Sequence, residues 1–146
     1  MQARLLFEDG LTFYGTAFTQ PPRTVFAELV FNTAMIGYEE IITDPSYRGQ
    51  MVVMTYPMAG NYGFDDTHAE SGSACIEALV VKTYIDMPAV ATGQTIKGYL
   101  DRQGVLGVEN MDTRAIVRYL RNFGAKRAVL TTQNMPDALL IEQLKQ

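Results

Sequence analysis

The stretch from Phe31 to Gly63, FNTAMIGYEEIITDPSYRGQMVVMTYPMAGNYG, constrains the fold more than any other segment, because it sets two stiff polar loops around one buried strand. Asn32 or Thr33 is placed to cap a short helix over Met35 to Ile42. That helix must end in the turn Thr43-Asp44-Pro45-Ser46-Tyr47-Arg48-Gly49. Pro45 fixes its own φ and pushes Asp44 out of the helical region, while the Asp44 and Ser46 side chains can bond nearby backbone groups. Met51 to Tyr56 then reads as a buried strand, too short to cross a membrane, and Pro57, Gly60, Asn61 and Gly63 punctuate a second loop. Hydroxyls at Ser46, Tyr47, Tyr56 and Tyr62 line these loops. Packing alone does not call for so many small and polar groups, so the segment reads as a surface with a chemical task.

Around it the pattern predicts a mixed α and β domain. Arg4 to Glu8 and Thr12 to Phe18 form a hairpin through Asp9-Gly10, and Val25 to Phe31 is a strand with one fully apolar face. A polar loop from Asp65 to Gly72 leads to a strand over Ile76 to Lys82, a short helix over Thr95 to Arg102, and a brief strand over Val105 to Glu109. The helix from Thr113 to Phe123 carries the plainest signals: Asp112 caps it, Ile116, Val117, Leu120 and Phe123 make one apolar face, and Gly124 stops it. Ala128 to Thr131 returns as a strand. Pro136 starts a final helix through Leu139, Leu140 and Leu144. No Gly, Asn or Pro ends that helix before Gln146, so the chain is expected to be part of something longer.

Length holds this to one domain over residues 1–146, enough to bury roughly two-thirds of the unfolded chain's surface. The formal net charge is -4, which argues against nucleic acid as a partner. The nearest thing to a basic stripe, Arg114, Arg118, Arg121, Lys126 and Arg127, reads as a solvated helix face. A single Cys excludes an internal disulfide framework. The start, Met-Gln-Ala-Arg-Leu-Leu-Phe-Glu-Asp, has no signal-peptide apolar region, so no membrane association and a cytoplasmic location are expected.

The chemistry-bearing residues are few. Cys75 lies in Ser71-Gly72-Ser73-Ala74-Cys75-Ile76, without the glycine-flanked elbow of an exposed nucleophile, and reads as a buried structural thiol. His68, the lone His, sits among Asp65, Asp66 and Glu70 in a loop and reads as solvated; its distance of seven residues from Cys75 leaves a dyad possible. The cluster matches neither calcium-loop nor zinc spacing, and no phosphate-binding glycine motif occurs. No catalytic, cofactor or metal site is therefore assigned within the chain.

Phe31-Asn32-Thr33, Gly37-Tyr38, Thr43-Asp44-Pro45-Ser46-Tyr47, Gly49-Gln50, Thr55-Tyr56-Pro57 and Gly60-Asn61-Tyr62-Gly63 together resemble the amino-terminal domain of the small, glutamine-hydrolysing subunit of carbamoyl phosphate synthetase. Leu6-Phe7-Glu8-Asp9-Gly10 and Asp112-Thr113-Arg114 fit the same pattern. The resemblance runs from about Ala3 to about Thr131, weakest between Tyr84 and Gly104. Met35, Ile36 and Met58-Ala59 depart from it without touching the turn.

This resemblance implies a three-layer β/β/α fold of the swivelling type, with a parallel central sheet and a second, antiparallel sheet. It implies that the chain docks on a large, ATP-using subunit and that Ser46 hydrogen-bonds L-glutamine, at the interface with a carboxy-terminal amidotransferase domain that carries the catalytic Cys, His and Glu. ATP and divalent metal would then belong to the large subunit. The product would be carbamoyl phosphate for arginine and pyrimidine biosynthesis, made by a heterodimer of which this chain alone is inactive. Asn32, Tyr38, Asn61 and Tyr62 carry no role over; they shape the loops or the interface. Two other readings stand beside this one: a stand-alone non-catalytic interaction or ligand-binding domain, and a Cys75-dependent hydrolase.

Overall fold

The computed structural model describes the backbone of residues 1–146 and every side chain except that of His68. The chain opens with β1 (Gln2–Phe7) and β2 (Thr12–Ala17), a hairpin in which Leu5 faces Phe13. Then come β3 (Thr24–Asn32), helix α1 (Tyr38–Thr43), β4 (Gln50–Met54), β5 (Met58–Ala59), β6 (Ala78–Val80) and β7 (Thr83–Tyr84). Helix α2 (Ile96–Gln103), β8 (Leu106–Glu109), α3 (Thr113–Phe123), β9 (Lys126–Thr131) and α4 (Asp137–Leu144) complete it.

The strands close into one ring in the order β1-β2-β8-β6-β4-β3-β9, with β9 returning to β1. Within it β3, β4, β6 and β8 run parallel, and β1, β2 and β9 are antiparallel to their neighbours. The resemblance implies a separate antiparallel sheet. Here the antiparallel strands continue the parallel ones, because β9 pairs on one side with β3 and on the other with β1. The sheet outside the ring is the pair β5 and β7, and it is parallel.

Alternation along the strands explains why the inside of the ring is dry, and why its outside is dry where helices cover it. One set of alternating residues, including Leu5, Phe7, Leu29, Met51, Val53, Val80, Val108 and Leu130, forms the inner core, and Ile116, Val117 and Leu120 of α3 pack into it. The opposite set on the parallel strands, Val52, Met54, Leu79 and Val81, is covered by Tyr38, Ile41 and Ile42 of α1 and by Ile96, Tyr99 and Leu100 of α2. Leu6 and Val129 are covered by Leu140 and Leu144 of α4. The two central parallel strands, β4 and β6, are therefore apolar on both faces, as strands sandwiched between layers must be.

Helix α1 starts later than the sequence predicts. Gly37 has φ 86, in the left-handed region that non-glycine residues rarely adopt, so helical geometry does not extend back through Met35. Neither Asn32 nor Thr33 caps it. Asn32 Oδ1 instead accepts the Ala34 N–H at 2.8 Å.

Candidate functional site

The turn that carries Ser46 is built by its own sequence. Asp44 accepts the Ser46 N–H at 2.9 Å and caps a single 3-10 turn over Pro45–Tyr47, with Pro45 in the first position where a missing N–H costs nothing. Tyr47 packs back against the outer core, and its hydroxyl accepts from Asn32 Nδ2 at 2.9 Å. One side chain at the end of β3 thus pins a turn fifteen residues later. The Ser46 side chain is exposed, and its hydroxyl has no partner among the described residues.

Beneath the turn, Thr43 is fully buried and acts as a junction. Its hydroxyl accepts the Glu70 N–H at 2.7 Å, and its carbonyl accepts the Ser71 hydroxyl at 2.7 Å and the Cys75 thiol at 3.4 Å. The Cys75 N–H donates to the Ile42 carbonyl at 2.8 Å. Cys75 is buried, with Arg48 Nη2 donating to its sulfur at 3.5 Å. A thiol enclosed in this way holds the 70–75 loop to the end of α1, which agrees with a structural role. The pairing of Cys75 with His68 involves a side chain outside the described residues. Among the described residues no three His, Cys, Asp or Glu side chains converge to hold a metal ion.

The second polar loop is organised by Tyr38. Its hydroxyl lies 3.2 Å from the Met35 carbonyl, 3.1 Å from that of Met58 and 3.2 Å from Asn61 Oδ1. Burial holds this phenol protonated above its ordinary range. Gly63 follows, with φ 69; a Cβ there would sit 2.0 Å from the Ala89 nitrogen, so the loop approaches the 85–95 segment more closely than any side chain allows. Tyr62, Met35 and Ile36 stay exposed around this hub. The structure thus joins Asn32 to Tyr47 and Tyr38 to Asn61, and leaves Ser46 and Tyr62 facing outward.

At the other end of the parallel strands lies a groove of about 660 Å³. Thr55 and Pro57 beyond β4, Lys82 beyond β6, and Asp112, Arg114, Arg118 and Arg121 of α3 line it. Asp112 is occupied as the cap of α3, accepting the Ala115 N–H at 3.1 Å. The Arg121 guanidinium stands over the Phe31 ring, 5.5 Å from its centroid. The sequence places these arginines on one helix face but does not reveal Lys82, which the pairing of β6 between β4 and β8 brings into the same groove. No helix among the described residues is long and apolar enough to cross a membrane.

Comparison with known proteins identifies the family. A family model described as carbamoyl-phosphate synthase small chain, CPSase domain, matches residues 5–130. A carbamoyl phosphate synthase small chain of Nitratidesulfovibrio vulgaris strain Hildenborough is 46% identical over 99% of this chain and 39% of the relative. Those of Maridesulfovibrio salexigens and Rhodopirellula baltica are 43% and 42% identical over 100% and 98% of this chain. The chain spans 37–39% of the length of these relatives. Among solved structures, an aminopeptidase from Aneurinibacillus sp. strain AM-1 aligns at a TM-score of 0.45 and 14% identity over 89% of this chain and 29% of that one, a likeness too slight to argue from. With the family model covering all but the ends, and relatives above 40% identity covering nearly every residue, the chain belongs to the carbamoyl-phosphate synthase small chain family, in its CPSase domain.

Proposed function

We propose that this chain is the docking half of the small subunit of a glutamine-dependent carbamoyl phosphate synthetase, and that Ser46 supplies one wall of its glutamine site. The observation that carries the second part is the Ser46 hydroxyl itself: exposed, without an internal partner among the described residues, and held on a turn fixed by Asp44, Pro45 and the Asn32–Tyr47 hydrogen bond. A hydroxyl presented on a rigid turn loses little entropy on binding, and the amino-acid end of glutamine needs such fixed polar partners.

On this reading hydrolysis of glutamine is carried out by residues outside this chain. The ammonia released passes to the ATP-using partner subunit, where it is joined to bicarbonate. This chain positions the substrate and holds the two catalytic bodies together. Alone, it has no glutaminase activity. The test is Ser46→Ala in the complete subunit, assayed in complex with its partner. The glutamine KM is expected to rise about tenfold, the loss of roughly one good hydrogen bond, while ammonia-dependent synthesis stays within about twofold of the parent. Equal glutamine KM values in variant and parent would remove Ser46 from the site.

A further inference from the structure

We propose that the groove beyond β4 and β6 is the face on which this chain meets an acidic surface of its partner subunit, with Arg114, Arg118, Arg121 and Lys82 as the contacting residues. The inference rests on the partner reading above and deepens it, giving the contact a place and a sign of charge.

The cations form a row. Arg114, Arg118 and Arg121 follow one another at spacings of four and three residues, which puts them on one face of α3 over about 10 Å at 1.5 Å per residue. Lys82, just beyond β6, lines the same groove. A compact phosphate calls for groups converging on one point; a row along an open trough suits several carboxylates spread over a protein surface.

These cations lack internal compensation. None of the four forms an ion pair among the described residues, whereas Arg4 and Lys97 elsewhere each pair with an aspartate. The one carboxylate in the groove, Asp112, already serves the helix end. Like charges at these helical spacings repel, and an anionic surface laid over them removes that cost. In a chain of net charge -4, such a concentration of positive charge sets one face apart from the rest.

The groove also has what an interface needs besides charge. Thr55, Pro57 and Val117 give it a partly apolar lining. Arg121, standing over Phe31, is already ordered and loses less freedom on contact than a free side chain. Overall negative charge and so short a basic row weigh against nucleic acid.

The groove lies beyond the carboxyl ends of β4 and β6, whereas the Ser46 turn enters β4 at its amino end, so the two faces can be tested apart. The experiment is titration of the complete small subunit against the purified partner subunit at about 50 and 300 mM salt, with R114E, R118E, R121E and K82E made singly. Each reversal, and the added salt, is expected to weaken association tenfold or more. R127E, on β9 outside the groove, and S46A are expected to leave it unchanged. Circular dichroism melts check that each variant is folded, and K82E tests the groove without touching α3. Parent-like affinity in all four variants at both salts would overturn the proposal while leaving the partner reading intact. Failure of the complete parent subunit to associate at all would overturn the partner reading itself. Capture of duplex DNA through these four residues, with partner association unaffected, would overturn the proposal in favour of a nucleic acid.

Discussion

Asp9 and Tyr119 show how single side chains tie distant elements together. The Tyr119 hydroxyl donates to Asp9 Oδ2 at 2.7 Å, joining α3 to the first hairpin turn, and the two aromatic rings of Tyr119 and Phe7 lie 4.6 Å apart beneath it. That hydrogen bond, followed by the Leu11 N–H, holds the Asp9 carboxyl below its ordinary 3.8. Burial first, then Asp9, pushes the Tyr119 phenol up to about 12. The signs differ. Asp9 contributes stability that is present above its ordinary value and lost as pH falls through the lowered one. Tyr119 contributes stability that is full below pH 10.0 and lost as pH rises towards about 12. Urea unfolding of Tyr119→Phe at a series of pH values is therefore expected to show a shallower decline on both limbs; a profile parallel to the parent's would refute this account. Neither partner was legible as a pair, since 110 residues separate them and no local pattern links a turn aspartate to a helix tyrosine. The turn that carries Ser46 was legible because Asp44 and Pro45 punctuate the chain by themselves. Asn32 was misread as a helix cap, because its true partners are the nearby Ala34 amide and the distant Tyr47 hydroxyl.

Elements whose ends carry their own signals were read correctly. Helix α3 begins after Asp112 and ends before Gly124, as its capping residues require. Helix α2, expected over Thr95 to Arg102, starts one residue later, because Thr95 is its cap and accepts the Gly98 N–H at 2.9 Å. Strands β5 and β7 escaped notice, since two residues each give no period to detect. Strand β6 is shorter than its apolar run, because its register with β4 covers only Ala78 to Val80. The 3-10 turn is the element on which the glutamine reading depends, and its cap can be removed without touching Ser46. Asp44→Ala is expected to cost about 1 kcal/mol of stability, the usual loss for a capping side chain. In the complete subunit it should also raise the glutamine KM in the same direction as Ser46→Ala, with ammonia-dependent synthesis preserved. A stability loss with unchanged KM would show that the turn holds its shape without Asp44.

Taken whole, the molecule is a ring whose topology no window of sequence could reveal, because its closing contacts join the first strand to the last. Leu5 faces Leu130, and Arg4 reaches across to the Asp137 carboxylate and, at 2.6 Å, to the Met135 carbonyl. Alternation in each strand announced burial, yet it could not say which strands are neighbours. This closure has a consequence for the chain as it leaves the ribosome. Until residues 126–131 have emerged, β1 and β3 each lack a neighbour, and the inner core lies open on the side that β9 will fill. Local hairpins and helices can form during synthesis, but the ring can shut only after almost the whole segment has been translated. Stalled nascent chains ending before residue 126 are accordingly expected to be cut readily by added protease, and those with residue 146 clear of the exit tunnel to resist it. Equal resistance in both would mean that the open sheet is stable on its own.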